Sequence, residues 1–80
     1  MHFTAIIEKD ENGYFAYVPE LKGCVSEGKS YEEALCNIQE ACRLYLKSLQ
    51  EDELKALQTK WISIAPIQVG LNAWIAQINS

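Results

Sequence analysis

The sequence predicts an α+β fold of two layers in the order β-β-β-α-β: an antiparallel three-strand meander, one long helix, and a fourth strand after it. Three observations carry this. An Asn12-Gly13 pair stands between two apolar runs, the signature of a tight hairpin. Ser30 followed by Glu33 is a capping pattern, and no Gly or Pro interrupts the chain from there until Pro66. Inside that stretch Tyr31, Ala34, Leu35, Ile38, Ala41, Cys42, Tyr45, Leu46 and Leu49 recur three and four residues apart, one stripe of a helix. A helix with a single apolar stripe needs a sheet to lie on, and the flanking residues must supply it.

Taken in order, His2 to Lys9 alternates, with Phe3, Ala5 and Ile7 on one face and His2, Thr4, Ile6 and Glu8 on the other. Its β-branched content makes it a strand, and adjacent Ile6 and Ile7 place it centrally in the sheet. Asp10-Glu11-Asn12-Gly13 turns the chain. Tyr14 to Val18 returns, with Phe15 and Tyr17 on one face and Tyr14, Ala16 and Val18 on the other, and Pro19 ends the ladder. Glu20 to Gly23 is a second turn and Cys24 to Glu27 a short third strand. The helix is expected from Tyr31 to about Gln50. The acids Glu51, Asp52 and Glu53 oppose its dipole there, which predicts a break near Gln50–Asp52 with another helical turn after it. Lys60 to Gln68 reads as the fourth strand, with Ile62 and Ile64 on one face and Trp61, Ser63 and Ala65 on the other. Reached through a helix, it is expected to lie parallel beside the first strand. The chain is one domain, residues 1–80, whose tail, 70–80, carries Leu71, Trp74, Ile75 and Ile78 at helical spacing and is expected to dock.

The hydrophobic fraction of 49% rules out a disordered chain. A net charge of −4 with scattered Lys and Arg excludes the basic cluster that nucleic-acid binding draws on; it fits a basic partner better than an acidic one and is also ordinary for a soluble protein. No run is long enough to span a membrane, and the N-terminus lacks the pattern of a signal peptide. Cys24, Cys36 and Cys42 have no close-set pairing, so they read as reduced thiols of a cytoplasmic protein rather than metal ligands. Glu8, Glu20, Glu27, Glu32 and Glu33 read as solvated acids, with two of them favoured in the first helical turn by its dipole. The lone His2, the isolated glycines and the absence of a nucleophile–base pattern predict no enzyme, no cofactor and no metal.

What remains is surface. One helix covers one sheet face, and whichever face is left, Phe3, Ala5 and Ile7 with Phe15 and Tyr17, or Thr4 and Ile6 with Tyr14, Ala16 and Val18, is too apolar to stay wet. Phe15, Tyr17, Trp61 and Trp74 are therefore candidate partner or oligomer contacts. Glu32, Glu33 and Glu40, with Glu51 to Glu53, are the acids expected to face a basic partner.

The run Phe3 to Gly28, with its Pro19-Glu20-Leu21-Lys22-Gly23-Cys24 segment, and the run Ser30 to Ala41, with Tyr31-Glu32-Glu33-Ala34-Leu35-Cys36-Asn37-Ile38, resemble the HicB antitoxin family over about the first fifty residues. The resemblance implies a partial ribonuclease-H-like fold and a protein that binds and neutralises a small basic ribonuclease toxin, HicA, as a homodimer or larger assembly. Many members add a C-terminal DNA-binding module; Gly70 to Ser80 is too short for one, so no operon-binding role is expected. Ribonucleases H hold metal with carboxylates in the first and fourth strands. The matching stretches here, Ala5-Ile6-Ile7 and Ile62-Ser63-Ile64, have none, which predicts no nuclease activity. The alternative expectation is a homo-oligomeric structural or regulatory domain with no toxin and no catalysis.

Overall fold

A computed structural model describes residues 1–70. Three strands, β1 (Ile6–Asp10), β2 (Gly13–Tyr17) and β3 (Val25–Gly28), form an antiparallel sheet in the order β1-β2-β3. Helix α1 (Tyr31–Lys47) crosses one face of it, and α2 (Glu51–Thr59) follows. The α+β class and the meander agree with expectation.

The hairpin is tighter than its four-residue signal suggests. Asp10 pairs with Gly13, so Glu11 and Asn12 alone form the loop. The Asp10 carboxylate accepts the Asn12 amide at 2.8 Å, a side-chain substitute for a backbone turn bond. Only Gly13 of the Asn-Gly pair takes a positive φ, at 130°. This loop fixes register: Glu8 stands opposite Phe15, Ile7 opposite Ala16, Ile6 opposite Tyr17, and on the far side Phe15 opposite Glu27 and Ala16 opposite Ser26. β1 is shorter than the expected strand from His2. It is also an edge, not a central strand, because β2 takes the middle.

The core forms between the sheet and α1. Ala16, Val18, Leu21, Cys24, Ala34 and Ile38 are buried, with Phe3, Ile7, Tyr14, Leu35, Ala41, Cys42, Tyr45, Leu46 and Leu57 packed around them. The helical stripe is therefore the one foreseen, except that Tyr31 at its start is exposed. Ser30 accepts the Glu33 amide at 3.0 Å, the hydroxyl half of the expected capping box. The helix stops at Lys47, three residues early, and Ser48 caps it by donating its hydroxyl to the Tyr45 carbonyl at 2.6 Å. The acids that would have opposed the α1 dipole instead open α2, where the dipole favours them. The Gln50 amide donates to the Glu53 carboxylate at 2.9 Å across that start.

The fourth strand expected over Lys60 to Gln68 does not form among the described residues. From Lys60 to Gly70 the chain is neither helix nor strand, and every side chain except half-buried Ile62 is exposed. The Lys60 ammonium donates to the Glu20 carbonyl at 3.4 Å, after which the chain leaves the body. The sequence pattern of a strand was present, but a strand needs a ladder partner, and Pro66 lacks an amide to give one. Among the described residues no strand pairs with the outer edge of β1. The expected docking of the tail, with Trp74, lies outside the described residues.

Candidate functional site

Strand alternation sorts each side chain to a face, and the register sets which neighbours share it. Ile7, Tyr14, Ala16 and Ser26 point toward α1. Ile6, Glu8, Phe15, Tyr17, Val25 and Glu27 point away, on a face that no described element covers. This corrects the grouping expected from each strand alone, in which Ile7 shared a face with Phe15 and Tyr17. An even-numbered loop pairs even-numbered residues of β1 with odd-numbered residues of β2, so Ile6 joins them.

The open face has two cross-strand rows. One is Ile6, Tyr17 and Val25, wholly apolar apart from the tyrosine hydroxyl. The other is Glu8, Phe15 and Glu27, an aromatic ring flanked by two carboxylates. Phe15 is 39% exposed and Val25 51%, and the Phe15 and Tyr17 rings lie 5.9 Å apart at 33°. Directly opposed residues in adjacent strands sit ~5 Å apart at Cβ, so each carboxylate reaches the ring edge or a cation placed over it. At the hairpin end this face opens into a groove of about 580 Å³ lined by Glu8, Asp10, Phe15, Glu27 and Glu33, with Lys29 at its rim. Glu33 enters because the first turn of α1 abuts the end of β3. Gly28 permits that approach: a Cβ there would lie 2.5 Å from the Ala34 amide nitrogen.

The expected site residues separate. Phe15 and Tyr17 are together on the open face, and Glu33 borders the groove. Glu32 is exposed at the start of α1. Glu40 is engaged by Arg43 one turn on, and that guanidinium holds the Glu40 carboxyl below its ordinary range. Glu51 pairs with Lys55 at 3.6 Å, and Glu53 caps α2. Trp61 is 84% exposed on the departing segment, away from the face. Ile6, Glu8, Asp10, Val25 and Glu27 complete the site but were not foreseen in it. In the sequence Glu8 and Glu27 read only as solvated acids. The signal for them was the even number of residues in the loop, which sets the parity of the two strands.

Chemically the face offers carboxylates, an aromatic surface and a shallow apolar row. No Cys or His lines the groove. Among the described residues no three His, Cys, Asp or Glu converge as a metal ion requires. No described helix is long and apolar enough to cross a membrane. The chemistry available is recognition of a cationic surface: carboxylates pair with Lys or Arg, and a guanidinium stacks on a ring.

Comparison with known proteins adds the family context. A family model described as the HicB_like antitoxin of bacterial toxin-antitoxin system matches residues 3–79. A UPF0150 protein of Helicobacter pylori is 65% identical over 86% of this chain and 96% of its own length. A UPF0150 protein of Thermoplasma acidophilum is 50% identical over 69% of this chain and 81% of its own. One from Archaeoglobus fulgidus is 40% identical over 72% and 90%. No solved structure matches the chain.

Proposed function

Because this chain belongs to the HicB-like antitoxin family of bacterial toxin–antitoxin systems, we propose that it binds and neutralises a small basic ribonuclease toxin of the HicA type, and that the open sheet face makes the contact. The observation that carries this reading is the Glu8–Phe15–Glu27 row on a face that no described element covers. A basic toxin presents Lys and Arg for its RNA substrate. Those side chains pair with Glu8, Glu27 and Glu33 and stack on Phe15, while Ile6, Tyr17 and Val25 give the dry centre an interface needs. The net charge of −4 steers the encounter. Inhibition then needs no catalysis: a protein seated on the toxin's basic surface keeps RNA from it. The test is co-expression with a small basic ribonuclease encoded beside this chain. Restored growth and co-purification are expected. Growth arrest that persists while this chain is folded and abundant would refute the reading.

A second reading rests on a separate observation. The segment 60–70 carries Trp61, Ile64, Ile67 and Val69, exposed at 84, 57, 84 and 66%, and no described strand pairs with the outer edge of β1. Near that edge a groove of about 340 Å³ is lined by Met1, Phe3, Ala5, Val18, Leu35 and Ile38. In a homodimer each copy lays this segment along the β1 edge of the other, supplying the missing fourth strand and completing the partial ribonuclease-H-like sheet. Light scattering is expected to give a dimer that Trp61→Ser dissociates; a monomer at high concentration would rule out the exchange.

A further inference from the structure

Cys24 and Cys42 come from different elements and meet. Their Sγ atoms lie 3.8 Å apart. Cys24 closes the turn between β2 and β3: its amide donates to the Leu21 carbonyl at 3.0 Å, and its carbonyl accepts the Val18 amide at 3.2 Å. Those bonds fix its backbone, and it is only 4% exposed. Cys42 sits in the later half of α1, half-buried on the stripe that faces the sheet. Cys36 is exposed on the same helix and has no such neighbour among the described residues.

We propose that Cys24 and Cys42 form a two-thiol oxidation site that closes to an intramolecular disulfide, tying α1 to the turn that leads into β3. A disulfide spans about 2.05 Å between sulfurs, so the pair must close by about 1.8 Å, which side-chain rotation at half-buried Cys42 supplies. The oxidant is a small-molecule disulfide such as glutathione disulfide. The Cys42 thiolate, the more accessible, attacks one of its sulfurs, breaking that S–S bond and releasing one glutathione as a thiol. The Cys24 thiolate then attacks Cys42 Sγ, forms the internal bond and releases the second glutathione. Two protein thiols become one disulfide and one glutathione disulfide becomes two thiols, so electrons and protons balance. Burial pushes the Cys42 thiol up to about 11, reinforced by Cys24 and by Glu20. The attacking thiolate is therefore scarce near neutrality and closure is slow. The site does not depend on the antitoxin reading.

The test uses the full chain with Cys36→Ser, reduced and folded, incubated with glutathione disulfide, then quenched in acid, unfolded, alkylated and digested. The expected product is lighter by about 2 Da, the two hydrogens lost. It yields a linked Cys24–Cys42 peptide, alkylates at neither residue, and recovers both thiols with dithiothreitol. The same treatment of the chain that also carries Cys42→Ser is expected to leave Cys24 fully alkylatable. Two thiols that only fill space would both remain alkylatable after oxidation, and that result overturns the proposal. So would a glutathione adduct on Cys42 that never resolves to the internal bond.

Discussion

A Cβ added at Gly28 would meet the Ala34 amide nitrogen at 2.5 Å and the Glu33 carbonyl carbon at 2.9 Å, both backbone atoms of α1 that cannot swing aside. Gly28→Ala must push the helix start off the sheet. The expected cost is about 2 kcal/mol, read as a lower urea midpoint with an unchanged slope; an unmoved midpoint would show that the helix start gives way freely. Cys42 makes a prediction about pH. Its thiol has an ordinary value of 9.0 in the unfolded chain and is pushed up to about 11 in the fold. The folded state thus prefers the protonated thiol. The stability this contributes is complete below pH 9 and is lost as pH rises toward 11. In urea melts across that window the native chain should lose more stability than Cys42→Ala, which has nothing to titrate there. Parallel losses in the two proteins would show that burial does not act on this thiol.

The elements were legible where local chemistry decides them. Ser30 caps α1 as its spacing with Glu33 implied, and Ser30→Ala is expected to cost about 1 kcal/mol and lower the helical ellipticity. An unchanged melt would mean the sheet alone sets where α1 begins. Ala34 and Ile38 are buried where the stripe placed them. The Asn-Gly signal marked the hairpin, but parity between strands was not read from it: a loop of two residues or four sets Glu8 opposite Phe15, and only an odd loop would bring Ile7 to that face. Alternation within a strand is local; parity between strands is not. The break before α2 and a helical turn after it were legible too, but not that the acids open α2. Glu51, Asp52 and Glu53 are unfavourable at the end of one helix and favourable at the start of the next, and composition cannot say which side of the break they fall on. The segment after Lys60 has the composition of a strand, but strand formation waits on a partner edge.

At the scale of the whole molecule, one face of a three-strand sheet is roofed by α1 and no described element covers the other, which carries Phe15, Tyr17 and Val25 among Glu8 and Glu27. A lone soluble domain has little reason to keep an aromatic row between two carboxylates in water, whereas a protein that captures a cationic partner needs that combination. Rim ion pairs such as Glu40–Arg43 and Glu51–Lys55 are satisfied within their own helices and contribute little to such capture. The central claim is that this second face is the toxin-binding surface. The most direct test is calorimetric titration of the cognate basic ribonuclease into the native chain and into the Glu8→Lys/Glu27→Lys variant. Both positions are exposed, so the variant should melt as the native chain does. The account predicts that its affinity falls by about a hundredfold or more. An affinity equal to the native chain's, in a variant shown to be folded, would contradict it.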